Sequence, residues 1–439
     1  MSQISEIKKD DSEIWLESYS ISTKTVIGFL IIYTPFSLGL LISLYYPVAI
    51  LSIFLLIFFN LEKFKNFQKK LSDNFTIPIL VFISSFFLSI YLGLPYKSMS
   101  DFTDYNSSFS GVFQKTLFSA IIIPLLIFLI YFSIDKIEEL IFYIKVFFIS
   151  GIILMFLSFY YISSNIFILD RLGVTFNDTN YFGRFQVFML IINLGFIFFY
   201  ETKLSKKIFL VFLSIIYLYL LMLSSSRSAI LVFGIVSIII TFYTKSKALK
   251  ISIVGINLII IGFLLTYAAM VKTSGLPGGT GILGSFMDLS NATRVALNVA
   301  AFNMFVDNPL FGVGYLNFYN AYINYDYVPI GMPLGINVSV VHSWLFSLMG
   351  EQGLVGVISF CWILYLIFKN FYSNNKKSKN TDFKFVGITL FTLYLALIIN
   401  GLFFPVFFTE YFFVLITGLS LAYFKICENN SNVMLSSDY

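Results

Sequence analysis

Long apolar runs, separated by shorter polar segments, set the pattern of this chain. Each run is close to the roughly 20 residues that cross a membrane as an α-helix, and none alternates as a membrane β-strand would. We divide the first run at Pro47, because proline interrupts a helix and the run is too long for one crossing. The pattern predicts an all-α, polytopic membrane bundle of about 12 spans, near residues 25–43, 45–60, 76–94, 114–133, 138–162, 181–200, 206–223, 229–243, 250–271, 353–371, 385–401 and 405–425.

Composition agrees with a membrane bundle and excludes other classes. The chain is 58% hydrophobic and 12% charged, whereas soluble domains have about 25% charged residues. The net charge of +5 reflects lysines that set membrane topology, so we expect no nucleic-acid partner. Two cysteines, Cys361 and Cys427, indicate neither a disulfide nor a metal site. The polar N-terminus of mixed charge does not resemble a cleavable signal peptide, so the first span should stay in the mature protein.

Lysine placement orients the spans, because cytoplasmic segments carry an excess of positive charge. With the N-terminus in the cytoplasm, only Lys97, Lys115 and Lys272 fall in outer segments. Nearly all other lysines then lie in cytoplasmic segments, so both termini should be cytoplasmic. The predicted organisation is a cytoplasmic tail over 1–24, about nine spans over 25–271, a long outer loop with short helices over 272–352, about three spans over 353–425 and a second cytoplasmic tail over 426–439.

The long outer loop holds a predicted helix. The loop opens with the glycine-rich stretch SGLPGGTGILG, which favours a mobile beginning. A mixed apolar segment follows, in which Asn291 can cap a helix and Asp307-Asn308-Pro309 can end it. The apolar content of this helix suggests that it lies at the membrane surface or against the bundle.

All four arginines, unlike the lysines, fall on the predicted outer side or at outer ends of spans. Arg184 lies about one turn into a span, Arg227 lies in a tight serine-rich turn, and Arg294 lies near the start of the loop helix. Arg171 sits in the outer segment before Arg184. Chance in a lysine-rich chain is one interpretation. Selection for guanidinium chemistry is the sharper one, since arginine stays charged and binds phosphate oxygens through a planar fork. The set predicts a site for a phosphorylated, in particular a diphosphorylated, ligand at the outer leaflet.

His342 is the only histidine and lies where the long loop returns to the membrane. Unperturbed imidazole titrates near pH 6.5, so a general base is one interpretation and an interfacial anchor is the other. No second histidine and no cysteine or carboxylate cluster accompanies it, so we expect no metal and no cofactor. Glu351 could orient the imidazole, bind substrate or mark the membrane boundary. Asn180 lies in the polar approach to Arg184 and is a candidate for a supporting contact.

Four segments in a fixed order carry a resemblance to a known family. They are NYFGR, SSSRSA, TRVALNVAAFNMFVDNPLFGVGYLNF and VHSWLFSLMGEQGLVG, and together they resemble the bacterial O-antigen ligase and polymerase superfamily over residues 175–365. The first 170 residues match only as generic spans. One departure is Ser343, where many members of the family have asparagine after the histidine.

The resemblance implies metal-independent glycosyl transfer at the periplasmic face of the bacterial inner membrane. The implied donor is a glycan on undecaprenyl diphosphate, and the acceptor is another glycan or lipid A–core. By position, Arg184, Arg227 and Arg294 would hold the diphosphate and His342 would activate the acceptor. Asn180, Glu351 and Arg171 would support them.

Other functions stay open at this point. A protein O-oligosaccharyltransferase would use the same donor with a protein hydroxyl as acceptor. A lipid-linked glycan transporter or flippase would also suit 12 spans, although transporters place charged residues near the bilayer midplane and show two similar halves. A cell-wall polymerase of the shape and division type would depend on an outer-loop aspartate, such as Asp288 or Asp307.

Overall fold

The computed structural model is helical throughout the part of the chain that it describes. It describes residues 11–37, 44–61, 73–93, 118–167, 171–176, 178–244, 250–251, 255, 262, 289–322, 324–325, 341–377, 380–403 and 410–436. Within these ranges no β-strand is present, so the predicted all-α class is confirmed. Six helices are long and apolar enough to cross a membrane, which confirms a polytopic helical membrane protein.

We number the helices in chain order. They are α1 (Asp11–Ser37), α2 (Tyr45–Phe59), α3 (Asp73–Gly93), α4 (Phe118–Ser133, opening with a π-helical turn), α5 (Ile137–Ser163), α6 (Thr179–Tyr200, closing with a π-helical turn), α7 (Leu204–Leu223), α8 (Arg227–Tyr243), α9 (Leu289–Asp307), α10 (Phe318–Tyr322), α11 (Trp344–Lys377), α12 (Thr381–Gly401) and α13 (Tyr411–Ser436).

The six long candidate spans lie in α5, α6, α7, α11, α12 and α13. Shorter apolar helices lie in α2, α3, α4 and α8. The span predicted near 250–271 falls almost entirely outside the described residues. The predicted loop helix is α9, which runs Leu289–Asp307 and ends where the sequence predicted. It begins two residues before Asn291, so Asn291 lies in its first turn and the predicted cap is wrong. The predicted domain boundaries and the cytoplasmic placement of the termini stay predictions.

Helix α6 is the most enclosed span. It packs against α7, α8 and α12, and most of its residues are buried. Small residues allow these approaches: a Cβ on Gly195 would lie 2.4 Å from Thr389 Oγ1 on α12. Because α6 is surrounded by protein, polar side chains such as Arg184, Gln186 and Asn193 can lie inside the bundle without facing lipid.

Helix α9, which the sequence analysis predicted in a long outer loop, lies against the bundle. It packs on α11, and its apolar face forms a small separate core with Val313, Phe318 and Val341. Gly350 of α11 comes so close to Ala301 of α9 that a Cβ there would lie 3.0 Å from the Ala301 carbonyl oxygen. The loop helix is therefore a packed element of the bundle and holds the residues around it in place.

Candidate functional site

The outer loop is fastened to α11 at a break in that helix. Gly353 has φ +63° and ψ −156°, which interrupts α11 and leaves backbone groups on both sides without helical partners. The segment after α9 pairs with them as a short ladder. Pro309 and Leu310 carbonyls accept from Leu354 N (2.8 Å) and Val355 N (3.2 Å).

The ladder continues on the other side of the break. Val313 N and Gly314 N donate to the carbonyl oxygens of Gly350 (2.8 Å) and Glu351 (3.0 Å). A Cβ on Gly312 or on Gly353 would lie 2.5 Å from backbone of the facing segment, so neither position accepts a side chain without movement. The two glycine-containing segments of the sequence, DNPLFGVG and EQGLVG, therefore form one structural clasp.

Glu351 supports this clasp from within the protein. Its carboxylate is buried and accepts from Phe318 N, at the start of α10, at 3.2 Å, and its other oxygen lies 3.5 Å from Ser347 Oγ. A carboxylate at a helix N-terminus satisfies backbone N–H groups there. The structure thus places Glu351 against the loop backbone, which is a different partner from the imidazole considered in the sequence analysis.

A second set of contacts joins the outer segment before α6 to the serine turn before α8. Arg171 donates from Nε to Ser224 O (2.9 Å) and from Nη2 to Ser225 O (3.2 Å) and Asn180 Oδ1 (3.2 Å). Ser226 Oγ also donates to Asn180 Oδ1, at 3.0 Å. Arg171 and Asn180 are therefore brought together, and they hold the segment before α6 beside the serine turn.

Asp178 extends this set and caps α6. Its Oδ1 accepts from Asn180 N (2.7 Å) and from Asn180 Nδ2 (2.9 Å). Gly183 lets α6 lie directly on the serine turn, because a Cβ there would be 2.7 Å from Ser226 Cβ. Arg227 begins α8 immediately after the turn and is half-buried. The segments NYFGR and SSSRSA of the sequence thus pack against each other.

His342 lies close to two oppositely charged groups. The pKa of its half-buried imidazole is lowered from the usual value, first by burial and second by the Arg294 guanidinium, while the Asp178 carboxylate acts in the opposite direction. Arg294 and Asp178, at the start of α6, therefore lie within electrostatic range of His342. A lowered pKa keeps the imidazole neutral at pH 7, the form that can accept a proton.

Arg184 has a different environment from the other arginines. Its guanidinium is fully buried and forms an ion pair with Glu410, just before α13. It also stacks on Tyr181 (4.7 Å to the ring centre) and Phe412 (5.5 Å). The sequence analysis assigned Arg184 to a diphosphate site at the outer leaflet, and the structure gives it a carboxylate partner inside the bundle. Its assignment to the diphosphate stays a prediction.

Two acidic residues of this region carried no assignment from the sequence. Asp178 was visible as part of the polar approach FNDTNYFGR, but its electrostatic effect on the pKa of His342 joins residues far apart in the chain. Glu410 had no local signal, because a single carboxylate before an apolar run is common at membrane boundaries.

Among the described residues, no group of three or more His, Cys, Asp or Glu side chains could hold a metal ion. We call the end of the bundle that carries Arg171, Asp178, the serine turn 224–226, Arg294 and His342 the loop face.

A comparison with protein families identifies part of the chain. A family model described as O-antigen ligase matches residues 210–361. The matched segment contains Arg227, Arg294, His342 and Glu351, and it includes both backbone segments of the clasp. No curated protein matches the chain. The family comprises ligases and polymerases of the glycosyltransferase type. This matched segment, which holds the loop face residues Arg294 and His342, is similar to the O-antigen ligase family and supports the O-antigen ligase/polymerase resemblance of the sequence.

Proposed function

We propose that this protein is a membrane glycosyltransferase of surface polysaccharide synthesis. It moves a glycan from undecaprenyl diphosphate to a sugar hydroxyl at the loop face, which faces the periplasm of a bacterial inner membrane. The observation that carries the proposal is the half-buried imidazole of His342, which lies inside the segment matched by the O-antigen ligase family and within electrostatic range of Arg294 and Asp178.

His342 acts as the general base in this proposal. The acceptor hydroxyl gives its proton to the imidazole while its oxygen attacks the anomeric carbon of the donor sugar. The bond between that carbon and the diphosphate oxygen breaks, and undecaprenyl diphosphate leaves with both electrons of the bond. A single displacement of this kind inverts the configuration of the anomeric carbon. The nearby Asp178 carboxylate stabilises the imidazolium that forms.

Arginine side chains neutralise the leaving diphosphate. Arg227 and Arg294 are the arginines for this role, since both are half-buried at the loop face. Arg171 and Asn180 hold the neighbouring turn in place through the contacts described above. Arg184 can join them only by exchanging its Glu410 partner for a phosphate. Because fixed guanidinium groups supply the positive charge, the proposed reaction needs no metal ion or other cofactor.

Genetic complementation tests this proposal. In a strain lacking the chromosomal copy, wild type, His342→Ala and the control Cys361→Ala are compared for surface glycan and for lipid-linked glycan. Cys361 is exposed on α11 within the matched segment and takes no part in the loop face. We expect His342→Ala to lose surface glycan and accumulate lipid-linked glycan at a normal protein level, with Cys361→Ala behaving as wild type.

The accumulated intermediate identifies the acceptor. Long lipid-linked chains indicate a ligase that uses lipid A–core, whereas single lipid-linked repeats indicate a polymerase that uses another undecaprenyl-linked glycan. Loss of glycan from a protein, with other surface polymers intact, indicates an O-oligosaccharyltransferase. Normal surface glycan in His342→Ala would contradict the proposed role of His342 as the base.

A further inference from the structure

An apolar groove lies among four helices, next to the loop face. It contains about 650 Å³ of empty space, including the part open to the surroundings. Each of α3, α4, α11 and α13 contributes a wall, and among the lining residues only Ser119 and Thr417 carry a polar side-chain atom. The lining residues are Phe75, Ile79, Phe82, Ile83, Phe86, Ser119, Ile123, Pro124, Ile127, Phe128, Phe360, Ile363, Ile367, Phe413, Thr417 and Leu421.

Among the described residues, the helices leave part of this groove uncovered between α3 and α4. Helix α3 packs on α11 and the α-helical part of α4 packs on α13, while α3 and α4 meet mainly at the π-helical start of α4. Rim residues such as Ile79 on α3 and Phe128 on α4 are half-buried, whereas floor residues such as Phe360 and Ile367 on α11 are buried. An apolar slot between apolar helices of a membrane bundle faces hydrocarbon and fits a hydrocarbon chain.

The groove is elongated along the helices. Its wall on α3 runs from Phe75 to Phe86. At about 1.5 Å per residue this stretch is roughly 16 Å long, close to half of the roughly 30 Å hydrocarbon thickness. The groove is therefore long enough to hold several consecutive units of an extended isoprenoid chain.

One end of the groove reaches the loop face. The ring of Phe360, in the groove floor, contacts the ring of Trp344 at 5.1 Å, and Trp344 lies two residues after His342. The outer loop closes the same end with Tyr315, which packs on Phe86 (4.6 Å between ring centres) and hydrogen bonds to Ser119 Oγ (2.9 Å).

A second connection runs through the start of α13. Phe413 lines the groove, and its neighbour Phe412 lies under the Arg184 guanidinium. Catalytic and tail-binding surfaces would thus meet at one end of the bundle. A chain in the groove would emerge beside the loop residues Tyr315 and Trp344, where a polar head group could meet the candidate site.

We propose that this groove binds the isoprenoid chain of the lipid-linked donor and so positions its diphosphate at the loop face. The inference rests on the proposed function for the identity of the donor. Continuity with the loop face favours a substrate tail over an ordinary phospholipid chain, because a phospholipid would place a head group with no role beside His342. Binding energy from the tail, remote from the reacting bond, then holds the diphosphate in place.

Ile83→Trp tests the groove, and Leu80→Trp is the matched control. Both residues lie on α3 one turn apart, but Ile83 lines the groove whereas Leu80 is 56% exposed on another face. In detergent or nanodiscs, we expect Ile83→Trp to raise the KM for undecaprenyl-linked donor roughly tenfold or more with kcat near wild type. Leu80→Trp should leave both constants unchanged.

Photo-crosslinking supplies a readout that needs no activity and no variant. A polyprenyl diphosphate with a diazirine on its isoprenoid chain should label α3 and α4 peptides of the wild-type protein, and unlabelled undecaprenyl diphosphate should compete. A diazirine phosphatidylethanolamine is the comparison probe. Equal labelling by the phospholipid without competition, or labelling of other helices only, would overturn the inference.

The two measurements separate this inference from the proposed function. Unchanged KM in a stable Ile83→Trp protein that still transfers glycan would overturn the groove and leave the proposed function standing. Groove labelling by the isoprenoid probe in a wild-type protein that transfers no glycan would overturn the proposed function and leave the groove as a binding site for an isoprenoid chain. If Ile83→Trp fails to fold, the wild-type crosslinking result decides alone.

Discussion

The Arg184 guanidinium and the Glu410 carboxylate form an ion pair that joins α6 to the start of α13 inside the bundle. The side chains are 0% and 3% exposed, respectively, and the residues are 226 positions apart in the chain. A buried pair contributes little net stability compared with apolar residues, but removing one partner leaves an uncompensated charge. The pair therefore gives Arg184 a structural role that is separable from any role in binding diphosphate.

Substitutions at this pair should distinguish the two roles. We expect Arg184→Met alone and Glu410→Leu alone each to lower the free energy of unfolding by about 3–5 kcal/mol, because each leaves one buried charge without its partner. The double variant should recover most of this loss, since neither charge remains. Thermal unfolding in detergent and the amount of protein in the membrane measure the effect.

Glycan transfer by the double variant completes this test. Since the guanidinium is committed to Glu410 in the structure, we expect transfer to return together with the protein level. A stable double variant without transfer would instead assign Arg184 to the diphosphate, as the sequence analysis predicted.

The pH dependence of glycan transfer should change when the charged residues that shift the pKa of His342 are removed. Burial and the Arg294 guanidinium lower the pKa of this imidazole, and Asp178 raises it. A general base works in its neutral form, so activity should fall only on the acid side, below the usual histidine pKa of about 6.5. Removing Arg294 with Arg294→Gln should move this acid limb to higher pH. Asp178→Asn should move it to lower pH.

Measurement of kcat/KM against pH, with donor and acceptor in purified components, follows these shifts. Arg294→Gln should also raise the KM for the diphosphate donor, whereas Asp178→Asn should not. Identical acid limbs in wild type and both variants would mean that the limb belongs to another group.

Glu351 should be replaceable by glutamine but not by alanine. Its buried carboxylate accepts from Phe318 N at 3.2 Å, and a glutamine carbonyl can accept the same bond. Glu351→Ala leaves that N–H without its acceptor, which costs about 1–3 kcal/mol in the free energy of unfolding. Thermal stability and transfer are measured together. A stable Glu351→Gln protein without transfer would show that the charge itself serves the reaction.

Gly353 should tolerate no side chain, because the clasp needs its left-handed backbone conformation and leaves no space for a Cβ beside Leu310. Its φ is +63°, and a Cβ would lie 2.5 Å from the Leu310 carbonyl carbon. Gly353→Ala should therefore cost at least about 1–3 kcal/mol and detach the outer loop from α11. Gly28→Ala is the control, since a Cβ there meets only Val146 at 4.0 Å.

Limited proteolysis of the outer loop measures this effect. Faster cleavage between α9 and α11 in Gly353→Ala, with the control unchanged, is the expected result. Equal cleavage rates would mean that the outer loop is held by the α9 contacts alone.

The apolar runs by themselves determined the class of this protein. A run of about 20 apolar residues has one stable solution in a membrane, a helix that satisfies its own backbone hydrogen bonds. The sequence also located the loop helix and its end at Asp307, and the order of four short segments gave the resemblance that the family match over residues 210–361 supports. All of these properties are local, so they can be recognised without knowing which helices touch.

Only the tertiary structure decided the partners of the chemically important side chains. Arg184 and Arg294 look alike in the sequence, as polar residues near the ends of apolar segments, yet one pairs with Glu410 inside the bundle and the other lies near His342. Glu351 likewise supports the loop backbone through Phe318. The physical reason is that burial and charge pairing depend on which helix faces meet, and those contacts join residues far apart in the chain.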